Sequence, residues 1–502
     1  MPRFPKLVQN LFDSTKPQSP AIAYSRRDFI GQSARLIALS SMAPIWAPSR
    51  TAPRIAIIGA GLAGLTSAYY LEKAGYKTIL YEAAERVGGR ISTVKDLLAP
   101  GIITEKGGEF IDSNHTDVRT LCNDLQLRFW DTKTAEEKRL IGTDYFLKGQ
   151  RLHERDLIAA FKPFADQIRK DAASIPDSLD PKHPKLIELD KLSIDEYLRQ
   201  IGVDGPLFDL LAAAFTSELG IDSGNQSSLN LLVVINTDLR KGFEVYGESD
   251  ERYKVIGGNE QIVTKLHQKL KSPVEFGSHL VRLASKGATY ELSFANGRQI
   301  AADFVIMTLP FSVLREVDIT VGMSDRKRRC IHELGYGTQS KLLIGVTDRL
   351  WRSQGLSGYV LSDHIHNGWD SSQMQLGNTG QGGYSLFLGA EKGKALRLDQ
   401  FDQYVDGCEQ VFPGFKQRIN GKKGIANWSQ NPLTKGTYAC YKVGQYASIG
   451  GEEGKSINRI FFAGEHCSQE FQGFMNGSAE TGRKAAKAIL ALLQRHWVRS
   501  RI

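Results

Sequence analysis

The sequence predicts an α/β protein in which two units are interleaved along the chain. The chain has 502 residues, which exceeds the usual size of one compact domain. A buried strand, a glycine-rich turn, a helix and a second strand follow one another over residues 54–82. Helix-like runs fill residues 126–246, and strands mixed with loops fill residues 311–449. Together these observations favour a parallel sheet interrupted by an α+β unit.

The strand–turn–helix–strand segment has the order of a Rossmann-type βαβ unit. Arg54 to Ile58 reads as the first strand, Leu65 to Ala74 as the helix, and Lys77 to Tyr81 as the second strand. This context is what a GxGxxG turn needs before it indicates a dinucleotide site.

Each residue type in the turn has a physical reason. Gly59 permits the tight turn, Gly61 lets the backbone approach a pyrophosphate, and Gly64 lets the helix and the strand pack closely. Backbone N–H groups at the helix start, including that of Ala63, would meet the phosphates. Glu82 would accept hydrogen bonds from ribose hydroxyls and disfavours a 2′-phosphate, which makes NADP a poor candidate. The fingerprint alone leaves NAD and FAD open.

The run Glu82-Ala83-Ala84-Glu85-Arg86-Val87-Gly88-Gly89-Arg90 resembles the flavin-containing amine oxidase superfamily. The resemblance implies FAD as the cofactor, with Arg90 meeting phosphate charge. The segments Glu105–Phe110, Tyr253–Gly258, Arg459–His466 and Gln472–Ala479 match the same family. Through these and neighbouring segments, the resemblance implies that FAD also contacts Gly108, Glu109, Val281, Gly464, Glu465 and Met475.

The resemblance spans about residues 54–495 and implies a glutathione-reductase-type FAD-binding domain in three pieces. These pieces are residues 52–125, 247–310 and 450–497. Residues 126–246 and 311–449 would form the substrate-binding domain, with the pocket at the junction of the two domains. We expect a final helix at about residues 478–495. Residues 368–371 are expected to form a surface turn, and the alternative is a loop that lines the pocket entrance.

Four residues are candidates for the reaction centre because of the same resemblance. Lys341, in a strand-like run, corresponds to the family lysine that holds a water near the flavin N5. Tyr438 and Phe474 correspond to an aromatic cage that flanks the amine, and Trp428 lies in the segment that carries the first cage residue. Read without the family, the lysine would be a solvated strand residue and the aromatic residues would belong to the core.

Two residues depart from patterns within the family. Thr437 stands where covalent-flavin monoamine oxidases have a cysteine, so we expect FAD to be bound non-covalently. Phe110 stands where related amino-acid oxidases place an arginine that grips the substrate carboxylate. This second departure favours an amine over an amino acid as the substrate.

The first 50 residues resemble a twin-arginine signal peptide. Ser25-Arg26-Arg27-Asp28-Phe29-Ile30 carries the paired arginines, and a weakly apolar stretch runs to Ala47, near which we expect cleavage. The alternative is a flexible basic tail with a chance arginine pair. The signal predicts a periplasmic or secreted protein, and no later segment has the roughly 20 apolar residues of a stable membrane span.

Composition excludes several other classes of protein. The net charge is +9, but the first 50 residues carry +5 of it, and no basic run is interleaved with aromatic residues. Nucleic acid is therefore not an expected partner. None of the five cysteines forms a CxxC pair, which gives no support to a metal or thioredoxin-type site. Disulfide pairing and the oligomeric state stay open, with a homodimer as one option.

The predicted function is FAD-dependent oxidation of a primary or secondary amine. A hydride equivalent would pass from the C–N carbon to the flavin, and the imine would then be hydrolysed. Reoxidation by O2 is expected, with an electron carrier as the alternative. The competing functions are an L-amino-acid oxidase, a flavin desaturase and a non-catalytic flavin-binding protein. Which amine is oxidised cannot be read from the sequence.

Overall fold

The computed structural model describes residues 52–176, 179–247, 249–375, 377 and 380–499. The predicted export signal at residues 1–50 lies outside these residues. None of the described helices combines the length and the apolar character that a bilayer crossing requires.

A five-stranded parallel sheet forms the centre of the first unit. Its strands, in spatial order, are Ile460–Phe462, Phe304–Met307, Ile55–Ile58, Thr78–Tyr81 and Val274–Glu275. Every residue of the strand Ile55–Ile58 is buried, as expected where elements cover both faces of a parallel sheet. The strands come from distant parts of the chain, so long-range pairing is needed to complete the sheet.

Glycines set the contact between this sheet and its first helix. The helix, Leu62–Lys73, begins at Leu62 rather than at the predicted Leu65. Gly59 has a φ of +101°, and a Cβ added at Gly64 would lie 2.0 Å from the Gly59 carbonyl oxygen. Both positions therefore exclude larger residues, as the fingerprint predicts.

The last helix packs against the first. It spans Met475–Arg499, so it begins before the predicted residue 478. The Ser67 hydroxyl of the first helix donates to the Gly482 carbonyl at 3.1 Å. Gly473, with a φ of +87°, lies in the turn just before the helix.

The remaining described strands form two further sheets and two two-stranded ribbons. The four-stranded sheet has the order Gln299–Ala302, Thr289–Phe294, Leu280–Lys286 and Asp318–Thr320. The seven-stranded sheet has the order Ile419–Asn427, Ser340–Val346, Gly382–Leu388, His366–Asp370, Leu356–Ser362, Ile141–Leu147 and Gln150–Leu152. Thr93–Lys95 pairs with Ile103–Glu105, and Phe129–Asp131 pairs with Tyr253–Val255.

The predicted helix-rich stretch between residues 126 and 246 contains five α-helices among its described residues. They are Glu154–Ala173, Pro184–Asp190, Ile194–Gln200, Gly205–Leu219 and Ser228–Val234. Gly220, with a φ of +70°, ends the helix Gly205–Leu219, as glycine commonly does. The other helices are Thr116–Asp124, Glu260–Lys269, Phe311–Leu314, Asp325–Glu333, Leu350–Ser353, Ala390–Ala395, Phe401–Val411 and Gln445–Ser448.

The expectation of a surface turn around residues 368–371 is wrong. Gly368 to Asp370 lie in the strand His366–Asp370, whose residues are all buried. A Cβ at Gly368 would lie 2.6 Å from the Tyr384 hydroxyl of the neighbouring strand. The glycine permits close packing inside a sheet rather than a turn.

The largest apolar cluster joins the parallel sheet to the helices of the first insert. It contains Ile58 and Tyr81 from the sheet together with Phe161, Tyr197 and Phe215 from the helices. The two units therefore share a core. All five cysteines are unpaired.

We predict that Gly64→Ala lowers the free energy of unfolding by about 1–3 kcal/mol, because the added methyl group must displace backbone. Gly322→Ala is the matched control, since a Cβ there has no neighbour within 4 Å. It should change stability by less than about 0.5 kcal/mol. Urea unfolding of both variants measures the difference, and equal stabilities would contradict the packing argument.

Candidate cofactor and active site

A cavity of about 470 Å³ lies where the strands of the parallel sheet end. Ile58, Tyr81 and Thr308, at or just beyond the carboxyl ends of three strands, line it. In open α/β sheets this edge is where ligands bind. The structure brings the following predicted residues to the cavity: Gly59, Gly61, Ala63, Glu82, Arg90, Gly108, Glu109, Lys341, Trp428, Tyr438, Gly464, Glu465, Phe474 and Met475.

One end of the cavity is formed by the glycine turn and Glu82. A Cβ at Gly61 would have no neighbour within 4 Å, so the backbone there faces open space. The Glu82 carboxylate accepts from the backbone N–H groups of Ala60 at 2.7 Å and Ala84 at 2.9 Å. These bonds fix the carboxylate beside the turn and leave lone pairs for further donors.

Two predicted contact residues do not line the cavity. Gly64 lies behind the turn, where it serves the helix–strand packing described above. Val281 is 41% exposed, and its neighbours Ser278, His279 and Leu280 line the cavity instead. The pairing register shifts between Leu280 and Arg282. The predicted contact of Val281 with the cofactor, which would be made through backbone groups, stays a prediction.

The Glu465 carboxylate joins three of the matching segments. Its Oε1 accepts from the Arg90 guanidinium at 2.9 Å, and its Oε2 accepts from the Gly473 N–H at 3.0 Å and the Ala439 N–H at 3.4 Å. Arg90 also donates to the Thr437 carbonyl. Glu465 is 4% exposed, so this is a buried charge paired with an arginine and satisfied by backbone donors.

Lys341 lies inside the seven-stranded sheet, not at a solvated edge. Its strand pairs on both sides, with Gly382–Leu388 and with Ile419–Asn427. The ammonium donates to the carbonyls of Glu105 at 3.1 Å and Gly107 at 2.9 Å, and to Glu109 Oε2 at 2.8 Å. A lysine ammonium has three N–H groups, and these acceptors use all of them. The water-holding role that the resemblance implies stays a prediction.

Glu109 is the centre of a buried network. Its Oε1 accepts from Lys254 Nζ at 2.7 Å and from Trp369 Nε1 at 3.1 Å, while its Oε2 binds Lys341. Burial alone would raise the pKa of Glu109, but the charges of Lys254 and Lys341 outweigh burial and lower the pKa to about 2. Glu109 is therefore a carboxylate throughout the physiological range.

Tyr438 and Phe474 both line the cavity. The Tyr438 hydroxyl donates to the Glu218 carbonyl and accepts from Gln339 Nε2 at 2.7 Å. Gly473, directly before Phe474, lies against the Tyr438 ring, since a Cβ there would be 3.4 Å from Tyr438 Cδ2. The hydrogen bonds and this close approach fix the Tyr438 ring.

Phe474 and Trp428 are held by separate contacts. The Phe474 ring packs edge-on against His115, with the ring centroids 5.1 Å apart. Burial lowers the pKa of His115 to about 3, so this partner ring is neutral. Trp428 Nε1 donates to the Lys106 carbonyl at 3.0 Å. All three predicted aromatic residues therefore line the cavity with fixed positions.

Comparison with known proteins assigns the family. Residues 62–490 match the family described as flavin containing amine oxidoreductase, which is well over half of the chain. This chain belongs to that family. It is accordingly an oxidoreductase that acts on amines, and the prediction of the family from its motifs is confirmed.

Individual relatives of this amine oxidoreductase are distant but align over nearly their full length. Pseudooxynicotine dehydrogenase from Pseudomonas sp. is 23% identical, covering 87% of this chain and 86% of the relative. L-amino acid dehydrogenase from Synechocystis sp. is 24% identical, covering 89% and 97%. Among solved structures, cyclohexylamine oxidase from Brevibacterium oxydans has a TM-score of 0.77 at 19% identity, covering 88% of this chain and 100% of that chain.

A structure of putrescine oxidase bound to putrescine is also similar. Its TM-score is 0.74 at 19% identity, covering 88% of this chain and 99% of that chain. At this level of identity the likeness shows a shared fold.

Several residues of this amine oxidoreductase that line the cavity or bind its walls have no predicted role in the reaction. Trp369, expected in a surface turn or in a loop at the pocket entrance, lines the cavity, and Lys254 lies in a matching segment without a predicted role. The carboxyl groups of Glu218 and Glu251, together with Asn367, also line the cavity. Their sequence neighbours carry no motif, because these residues meet only through long-range folding.

We predict that Glu109→Gln destabilises the protein by about 3–5 kcal/mol at pH 7, since it leaves two buried ammonium groups without their counter-charge. Adding Lys254→Met should recover part of the loss in a double-mutant cycle. Glu291→Gln, which breaks the exposed pair with Lys286, is the control and should cost about 0–1 kcal/mol.

The difference in unfolding free energy between wild type and Glu109→Gln should depend on pH. The pKa of Glu109 is lowered from 4.5 to about 2, so its stabilisation is present above pH 4.5 and is lost as the pH falls toward 2. The stability gap between wild type and Glu109→Gln should therefore narrow in that window. A gap that widens with acidification in urea unfolding would contradict the assignment.

Proposed function

We propose that this protein is an FAD-dependent oxidase of primary or secondary amines. Bound FAD supplies the hydride acceptor for the carbon of the C–N bond. The observation that carries the proposal is that residues suited to a diphosphate, a ribose and an amine line one cavity. The amine would then be positioned where the parallel sheet meets the seven-stranded sheet. O2 is the proposed final acceptor, with an electron carrier as the alternative.

The five-stranded unit is proposed to be an FAD-binding domain of the glutathione-reductase type. The open backbone at Gly61 and the start of the helix Leu62–Lys73 suit a diphosphate. Glu82 suits the ribose hydroxyls, and the Arg90 guanidinium retains donors beyond its bonds to Glu465 and Thr437. The residues present therefore fit this cofactor.

The flavin is proposed to be bound without a covalent link. Thr437, at the position where a cysteine would be needed, lines the cavity with a hydroxyl that donates to Gln339. Cys440 also lines the cavity, but burial raises the pKa of its thiol to about 12. A thiol that stays protonated is a poor nucleophile.

The residues of this chain that face the substrate would bind it, orient it and exclude water. The rings of Tyr438 and Phe474 would flank the amine, and Trp428 would close the wall beside them. Lys341 is a positioning residue in this proposal: its ammonium holds the carbonyls of Glu105 and Gly107 and so fixes the adjoining turn.

The charges of the cavity favour an amine over an amino acid. The basic residues among its described lining are Arg86, Arg90, Lys106 and Lys341. Arg90 is paired with Glu465 and Lys341 with Glu109, and Arg86 donates to nearby backbone carbonyls. Phe110 lines the cavity where a carboxylate-binding arginine would be needed. Three of the four basic side chains are thus engaged by the protein itself, and the proposal rests on the absence of an arginine at position 110.

We also propose that residues 1–50 direct twin-arginine export to the periplasm or the exterior. The support is the motif Ser25–Ile30 and the stretch behind it. Cell fractionation of the full chain tests this, and a protein confined to the cytoplasm would contradict it.

The decisive test of function is an anaerobic substrate panel with the purified holoenzyme. We expect alkyl or aryl amines to bleach the flavin absorbance band, because the cavity lacks a carboxylate clamp. Amino acids with the same side chains are the matched controls and should bleach it far more slowly. Bleaching by amino acids alone would overturn the proposed substrate class.

The linkage of the cofactor is tested by acid precipitation. All of the flavin should appear in the supernatant, because the wall offers Thr437 and a protonated thiol rather than a reactive thiolate. A yellow pellet that keeps its flavin after washing would refute non-covalent binding.

A further inference from the structure

We propose that Glu109 and Lys254 set the reduction potential of the bound flavin, and that they shift it in opposite directions. This inference rests on the proposed FAD-dependent function. It assigns a role to two residues that the proposed reaction does not otherwise use. Both act through their charge, and neither is a catalytic residue.

Glu109 lies near the end of the cavity that carries the aromatic residues. It directly follows Gly108, and a Cβ added at Gly108 would lie 2.9 Å from Met475 Cγ. Met475 is the residue after Phe474. Glu109 and its partner Lys341 both line the cavity, so their charges lie beside the region where the flavin ring is proposed to bind.

The charges of this network are shielded from solvent. The side chains of Lys254 and Lys341 are 6% and 7% exposed, and that of Glu109 is 3% exposed. The Glu109 carboxylate lies 2.7 Å from Lys254 Nζ and 2.8 Å from Lys341 Nζ. Buried charges are screened little by salt. One carboxylate thus balances one of two buried ammonium groups and leaves a net positive charge in the network.

Lys254 lies behind the cavity wall. It is not one of the described residues that line the cavity. Its ammonium is bonded to Glu109 and lies 4.6 Å from the centroid of the Phe110 ring. An effect of Lys254 on the flavin must therefore come from its charge and its hold on Glu109, since it does not touch a ligand in the cavity.

The sign of each effect follows from the chemistry of the flavin. Reduction adds negative charge to the flavin ring, and nearby fixed charges therefore bias the equilibrium between the two redox forms. A buried ammonium stabilises the more negative form, and a buried carboxylate opposes it. Burial alone would raise the pKa of Glu109, but Lys254 and Lys341 outweigh burial and lower it to about 2, so the carboxylate stays charged. Glu109 lowers the potential, and Lys254 raises it.

The experiment measures the two-electron reduction potential of the purified holoenzyme by equilibration with redox dyes. Glu109→Gln removes the carboxylate and should raise the potential, whereas Lys254→Met removes an ammonium and should lower it. Each shift should be about tenfold in the equilibrium constant for reduction, which is about 30 mV for a two-electron couple. The double variant should return toward the wild-type potential, because Lys341 then remains as a single cation.

Two further variants separate charge from structure. Glu109→Asp keeps the carboxylate and should stay closer to the wild-type potential than Glu109→Gln. Glu137→Gln is the matched control, because Glu137 is also buried and paired with an arginine, Arg352, at 2.8 Å. Glu137 is not among the described residues that line this cavity, so its loss should leave the potential unchanged.

The neighbouring carboxyl of Glu105 sets the pH of the measurement. Burial raises the pKa of Glu105 to about 7. All potentials are therefore compared at a pH clearly above this value, where Glu105 is ionised in every variant.

Opposite shifts in the two single variants would support the inference. Shifts of the same sign, or potentials that do not move, would overturn it. If Glu109→Gln yields no folded holoenzyme, Lys254→Met decides alone: a lowered potential supports the inference, and an unchanged or raised one overturns it. If the potentials do not move but amines still bleach the flavin, the proposed function survives. A protein that neither retains nor takes up a flavin would refute both.

Discussion

The buried carboxylate of Glu465 is the interaction on which the assembly of this cavity depends. It binds Arg90 from the start of the chain, Ala439 beside the proposed cage residue Tyr438, and Gly473 at the turn before the last helix. Arg90 and Glu465 lie 375 residues apart in sequence. A single ion pair with backbone donors thus brings together the segments that match the family, and removing one partner would leave an uncompensated buried charge.

The two ends of the cavity differ in their electrostatics. The end at the glycine turn offers open backbone at Gly61, a helix N-terminus and the remaining donors of Arg90, which suit anionic groups. The far end holds Glu218 and Glu251, and burial raises the pKa of their carboxyl groups to about 7 and about 8. Between them, the Glu109 carboxylate pairs with two lysines, Lys254 and Lys341, and the Lys341 ammonium fixes the turn Glu105–Gly108.

Local patterns predicted the parts of the fold that local chemistry determines. The glycine turn, Glu82 and the strand containing Lys341 could be predicted because turn geometry, close packing and strand periodicity leave signatures within a few residues. In the segment around Val281 the strand pairing is irregular, and the residues just before Val281 line the cavity. The prediction of a turn at Gly368 is wrong because a glycine that leaves room for the Tyr384 side chain cannot be distinguished in sequence from a glycine in a turn.

Contacts between distant segments could not be predicted in the same way. The three donors of Lys341 bind acceptors of residues more than 200 positions away. Glu218 and Glu251 likewise become part of the cavity lining only through contacts between distant segments.

The central claim is that the cavity holds FAD. It is tested most directly by a crystal structure of the protein purified with its cellular cofactor. The account predicts FAD density with the diphosphate over Gly59–Ala63 and the ring toward Tyr438 and Phe474. A nicotinamide nucleotide in that position, or a flavin bound elsewhere, would contradict it.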